Sequence, residues 1–248
     1  MEPWNVIKLL ATENPKETAY MLSWRKEQQE KGISDSITHK FIPLDSISKH
    51  LVDAVLAAED DGFWIHPGFD LIAMLNAYQD NLTAGKLKRG GSTITQQLAK
   101  NMFLSNEKSF DRKFRELAYT VLIEKEWGKK RILELYMNYA EWGKGIFGCE
   151  AAAIANFNKS ASTLTREQSV RLAAVLVSPN RLSANAPNSR FMSSRIQVIA
   201  NNLLIHGKID DTGYIMLTGK RKTDSLAPDT TSIETENNNQ NTDNYIDP

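Results

Sequence analysis

Residues 46–70 read "SISKHLVDAVLAAEDDGFWIHPGFD". In its first half Ile47, Leu51, Val55 and Ala58 recur at helical spacing and share one side, so a helix is expected near Ser46–Ala58. The same period runs through nearly the whole chain. With no convincing alternating strand and no internal repeat, the fold class that follows is mainly α. This helix delivers Glu59 at its C-terminal end, where the negative end of the helix dipole disfavours a carboxylate. Glu59, Asp60 and Asp61 then stand beside Phe63, Trp64 and Phe69. Acids crowded against aromatic surface raise the pKa of at least one carboxyl, by desolvation and like-charge repulsion, and that makes a base able to work near neutral pH. An exposed acidic helix end is the plain alternative.

Upstream lies an N-terminal helical lead-in, residues 1–44. Within it Pro15 opens a helix at "ETAYMLSWRKEQQEKG" and an extended piece, "ITHKFIPL", leads onward. Downstream, Asp70 can cap "LIAMLNAYQDNLTAG", and the glycines and basic residues of "KLKRGGS" mark a loop. Further helices are expected near Ile94–Met102, Ser109–Trp127, Lys130–Ala140 and Cys149–Phe157. Thr165 and Gln168 form a capping box ahead of "SVRLAAVLV", Pro179 stops that helix, and a last one near Phe191–His206 ends at Gly207. One main domain, residues 45–210, results. Residues 222–248 are acidic and Asn/Thr-rich and read as a disordered tail.

The chain has 248 residues and a formal net charge of zero, with 30 basic and 30 acidic residues. Six of the acids lie within residues 223–248, which hold no Lys or Arg, so the body carries 30 basic against 24 acidic residues, net +6. Such a body suits an anionic partner. A single cysteine, Cys149, excludes an internal disulfide and a cysteine-based metal cluster. No run of about 18 apolar residues occurs, and "EPWNVIKLLATENPKE" lacks a signal-peptide pattern, so a membrane anchor is expected to be absent from this chain.

Three segments bear on chemistry. In "GGSTITQQLAKN" (90–101) a helix from Thr93 onward puts Thr93, Gln97 and Lys100 on one face, behind glycines that permit close backbone approach, a combination suited to a phosphate or sugar diphosphate, with an amphipathic surface helix after a loop as the plain alternative. In "DRKFRELAYTVLIEKEW" (111–127) Phe110, Phe114, Leu117 and Val121 form the expected core stripe, with Arg112, Lys113, Glu116 and Thr120 on another side. Tyr119 and Ile123 flank that polar side, and a semi-enclosed carboxylate among cations reads as a site for a substrate anion, with a divalent metal, Mg or Mn, as an optional participant at Glu116. In "KKRILELYMNYAEWG" Glu134 and Asn138 sit at i, i+4 and are assigned to structural support, as is Arg171 in "RLAAVL", expected in an ion pair. The four histidines lack metal-ligand spacing, and His66 is assigned to shaping the loop behind Glu59. No GxSxG elbow, Rossmann glycine pattern or other organic-cofactor signature occurs.

Taken in order, "EDDGFWIHPGFD", "GGSTITQQLAKN", "RKFRE", "ILELYMN" and "RLAAVL" resemble the motifs of bacterial peptidoglycan glycosyltransferases. The monofunctional branch fits best, because "AEWGKGIFGCEAAA" follows the fourth segment and no transpeptidase domain follows the fifth. The resemblance covers roughly residues 40–190. It implies a lysozyme-like helical lobe with a smaller membrane-facing jaw lobe, here about residues 69–89. It implies lipid II and the growing glycan strand as substrates, the membrane surface met through the jaw, cell-wall synthesis proteins as candidate partners, and no nucleic acid. The implied location is the periplasmic or outer face of the bacterial cytoplasmic membrane.

By the same matching Glu59 is the catalytic base and Glu116 the second essential carboxylate. Lys100, Arg112 and Lys113 meet the donor diphosphate. Thr93, Gln97 and Asn101 line the cleft, and Asp60, Phe63 and His66 join the substrate-binding set. Where the family commonly reads Tyr-Phe-Gly-Lys, this chain has Asn156-Phe157-Asn158-Lys159, and Asn158 is expected to take over the left-handed glycine conformation. Two other readings stay open: a lysozyme-like glycosidase, which also uses a carboxylate pair, and a non-catalytic envelope-binding module.

Overall fold

The computed structural model describes residues 3–70, 91–104, 110–187 and 189–222. In chain order the elements are α1 (Pro3–Leu10), α2 (Ala19–Glu30), β1 (Thr38–His39), α3 (Lys49–Glu59), α4 (Ile94–Phe103), α5 (Phe110–Glu126), α6 (Lys129–Tyr139), β2 (Glu141–Gly143), β3 (Ile146–Phe147), α7 (Cys149–Phe157), α8 (Arg166–Val175), α9 (Arg190–Ile205) and α10 (Asp211–Thr218). The mainly helical class follows from the 3.6-residue period, as expected. The helix that carries Glu59 starts a few residues late, because Leu44–Ser46 forms a separate 3₁₀ turn. Ser48 is then held by tertiary bonds, its N–H on the Ala161 carbonyl and its hydroxyl on the Leu164 carbonyl.

Two layers of helices share one core. Leu51, Ala54 and Val55 of α3 face α8 and α9, which bring Leu172, Val175 and Ile199, while α4 packs Ile94 and Leu98 between α2, α5 and α6. Each such large side chain, fully buried, contributes about 1.5–3 kcal/mol. The lead-in belongs to this core through Ile7, Leu10, Met21 and Trp24. Side chains of α6 and of the turn before it also hold its backbone: Trp127 Nε1 donates to the Ile7 carbonyl, Arg131 to those of Leu10 and Glu13, and Tyr139 to that of Pro15.

Three differences from the sequence reading stand out. A three-stranded sheet exists, ordered β1-β3-β2, with β1 parallel and β2 antiparallel to β3. Strands of two or three residues are too short to show alternation. The expected core stripe of α5 faces outward, for Phe114, Leu117 and Val121 are 75%, 41% and 48% exposed, and Glu116, Thr120 and Ile123 are buried instead. Amphipathicity reveals that a helix has two faces, but not which one the fold covers. Helix α10 was not expected, although Asp210 caps its start and left-handed Gly219 its end. Arg171 donates to the carbonyls of Ala184 and Ala186, which anchors the loop after α8 in keeping with a supporting place in the fold.

Asn158 ends α7 at φ 52°, ψ 39°, in the left-handed conformation expected of it. Gly148, at φ 85°, opens α7 where a Cβ would lie 2.5 Å from the Asn138 carbonyl oxygen, so this turn admits glycine alone without a backbone shift. The expected jaw at 69–89 lies outside the described residues except for Phe69 and Asp70. The tail beyond Lys222 lies outside them as well.

Candidate active site

A latch sets the geometry after α3. Asp60 accepts a bond from His66 Nε2 on one carboxylate oxygen (2.8 Å) and from the Ile94 N–H, at the start of α4, on the other (2.9 Å). The Gly68 N–H donates to His66 Nδ1, so Nε2 carries the ring hydrogen and donates to Asp60. Thr93, the N-cap of α4, accepts from the Gln96 N–H and donates to the Gly68 carbonyl at 2.6 Å. The loop is thereby tied to the positive end of α4. Beneath it Phe63 is fully buried, with Lys129 Nζ 4.6 Å above its ring. The structure thus assigns Asp60, Phe63, His66 and Thr93 to the latch: all four are buried, and the polar atoms of the three polar ones are already paired.

The latch leaves Glu59 between α4 and α9. Its side chain is 13% exposed, Gln97 Nε2 donates to Oε2 at 2.9 Å, and Arg195 Nη2 lies 3.7 Å from Oε1. The Tyr136 hydroxyl donates to Gln97 Oε1 at 3.3 Å, which fixes the amide with its NH₂ toward the carboxylate. Burial pushes the Glu59 pKa up, Gln97 and Arg195 hold it down, and Asp60 adds a smaller upward push. The raised carboxyl read from the sequence is present, but burial is its leading cause. Asp61 is exposed and faces His206 at 3.5 Å.

One turn along α4, Lys100 turns toward a second cluster. Glu116 is 3% exposed on α5, with Arg112 Nη1 at 3.0 Å on one oxygen and Lys113 Nζ on the other. Burial lowers the Lys100 pKa; Glu116 opposes that, while Arg112 and Lys113 add to it, so all four charges act on one another. Arg112 and Lys113 sit in the first turn of α5, where the helix dipole disfavours cations. Glu116 offsets that cost and holds them in place. Asn101 is buried on the same helix as Gln97 and Lys100.

As a metal site this cluster fits poorly. Both Glu116 oxygens are engaged by cations, and among the described residues no group of three or more His, Cys, Asp or Glu could hold a metal ion.

The supports act at a distance. Asn138 brackets Ile42 through its N–H and carbonyl, and Glu134 accepts from the Leu44 N–H and from Arg131, so α6 fixes the strap that leads into α3. Sequence reasoning missed Arg195, Tyr136 as a polar group, and Glu141. Buried Glu141 accepts from Tyr20 (2.8 Å) and Asn180 (3.3 Å), and its charge helps Lys100 stay protonated. All three meet their partners only through tertiary contacts, so no spacing rule could have found them.

Comparison with known proteins gives a consistent result. A family model described as Transglycosylase matches residues 26–204. A protein of Thiobacillus denitrificans is 47% identical over 186 residues, covering 75% of this chain and 80% of its own. One of Aromatoleum aromaticum is 49% identical over 168 residues (68% and 73%), and one of Nitrosospira multiformis 43% over 190 (77% and 82%). Each of the three is named a biosynthetic peptidoglycan transglycosylase.

Proposed function

The chain belongs to the transglycosylase family, and from that premise we propose that it is the lipid II polymerase of its cell envelope, with Glu59 as catalytic base. It is a peptidoglycan glycosyltransferase, and its place of work is the envelope. In the proposed step Glu59 removes the proton from the GlcNAc 4-hydroxyl of an acceptor lipid II. The freed oxygen attacks the anomeric carbon of the MurNAc that ends the growing chain, the bond to the lipid diphosphate breaks, and the α link becomes β. Lys100, Arg112 and Lys113 stabilise the charge that collects on the departing diphosphate. Glu116 keeps Arg112 and Lys113 from repelling each other before the substrate arrives. No step requires a metal ion on Glu116.

The observation that carries this reading is the layout of α4. Gln97 contacts the buried base, and Lys100, three residues on, answers to the Glu116 cluster, so a single helix spans proton acceptor and anion site. Helical geometry puts such positions about 5–6 Å apart at Cβ. A glycosidase would have no use for three convergent cations. Among the described residues no helix is long and apolar enough to cross a membrane. The exposed Phe114, Leu117 and Val121, interleaved with Lys113 and Arg115, support contact with an anionic lipid surface instead. Incubation with labelled lipid II and sizing of the products tests the reading: long glycan is expected, whereas unchanged lipid II, or cleavage of preformed glycan to fragments, refutes it.

A further inference from the structure

Arg195 lies outside all five motif segments, on α9, yet it reaches the end of α3. Its Nη2 is 3.7 Å from Glu59 Oε1 and 3.4 Å from the Ala58 carbonyl, while its Nε is buried without a hydrogen-bond partner among the described residues. The two oxygens of Glu59 are therefore treated differently. Oε2 already accepts a bond from Gln97 at 2.9 Å, whereas Oε1 faces a cation beyond hydrogen-bond reach. A bidentate arginine would occupy both oxygens and make the carboxylate too weak a base. A looser charge favours the ionised form and leaves Oε1 free to take a proton.

Resting on the assignment of Glu59 as base, we infer that Arg195 is its positioning residue and that Oε1 is the oxygen that receives the acceptor proton. The groups that face Glu59 are Gln97 from α4, Asp60 from the latch, buried Tyr136 from α6 and Arg195 from α9. Arg195 is the cation among them. The same helix also has a purely structural tie to α3, from Asn202 Nδ2 to the Ala57 carbonyl at 2.8 Å, which supplies an internal control.

The test is steady-state polymerisation of lipid II by the full chain across pH. Arg195→Gln should lower kcat by about tenfold or more, keep KM within about twofold, and move the acidic limb of the kcat profile upward by about one unit or more, the effect of losing an opposite charge at this range. Arg195→Met keeps the aliphatic stem and replaces the Gln variant if that one does not fold, with the same expectation. Arg195→Lys should return the limb toward wild type, and Asn202→Ala should leave it in place. A limb unmoved by loss of the charge, not restored by Lys, or moved equally by Asn202→Ala overturns the inference. Glu59→Gln in the same assay separates the two levels. If that variant polymerises normally, the base assignment itself fails; if it is inactive while Arg195→Gln matches wild type, only the role of Arg195 falls.

Discussion

Replacing Glu59 by Gln should yield a protein that is more stable than wild type near neutral pH and almost inactive. Burial is the leading influence on this carboxyl and outweighs the opposing help of Gln97 and Arg195, so its pKa in the folded protein lies above that in the unfolded chain. The folded state therefore holds the proton more tightly. The stability this brings is complete below the unfolded value, about 4.3 for Glu, and is lost as pH rises through the folded value. Gln copies the protonated side chain in shape and keeps an oxygen for Gln97, but never ionises. Each unit of pKa displacement is about 1.4 kcal/mol. One kcal/mol moves Tm by about 2–4 °C in a domain of this size, so the variant should gain about 3–6 °C per unit. Melting curves of both proteins between about pH 4 and 8 should coincide at the acidic end and separate toward neutrality, the Gln variant higher, while polymerisation falls by about 10²–10⁴-fold. A Gln variant that melts at or below wild type near pH 7, or a gap that does not change with pH, would refute the account of burial. Near-normal polymer formation would refute the assignment of the base.

Arg112→Ala and Lys113→Ala should each cut turnover by about 10²-fold or more with little change in Tm, since both cations are partly exposed and their work is on the departing diphosphate; unchanged polymerisation in both removes the cluster from the mechanism. Gly148→Ala forces a Cβ onto the Asn138 carbonyl at positive φ and should destabilise the fold by about 1–3 kcal/mol, read as a lower urea midpoint, with an unaltered midpoint as the contrary result. Phe114→Ser combined with Val121→Ser should leave Tm nearly unchanged, because both residues are exposed, yet weaken binding to anionic vesicles by about tenfold or more; equal flotation of variant and wild type speaks against α5 as a membrane contact.

Much of this protein is local and therefore legible in sequence. Helix period, the capping box at Thr165 and the left-handed Asn158 depend on neighbours within a few residues, and these fixed the mainly α class and most helix positions. The pairing of Glu116 with Arg112 and Lys113 is local too, set by i, i+3 and i, i+4 spacing on one helix. Tertiary structure decided the rest. It turned the apolar stripe of α5 outward and its charged face inward, an orientation helical periodicity cannot specify because it is unchanged by rotating the helix about its axis. It drew Asp60, His66 and Thr93 into a latch, since a polar atom that is buried must find a partner wherever the fold offers one. And it set Arg195 beside Glu59 and Tyr136 behind Gln97, giving the base its burial and its countercharge, because a carboxylate's pKa depends on what surrounds it in space and chain neighbours are only part of that surrounding.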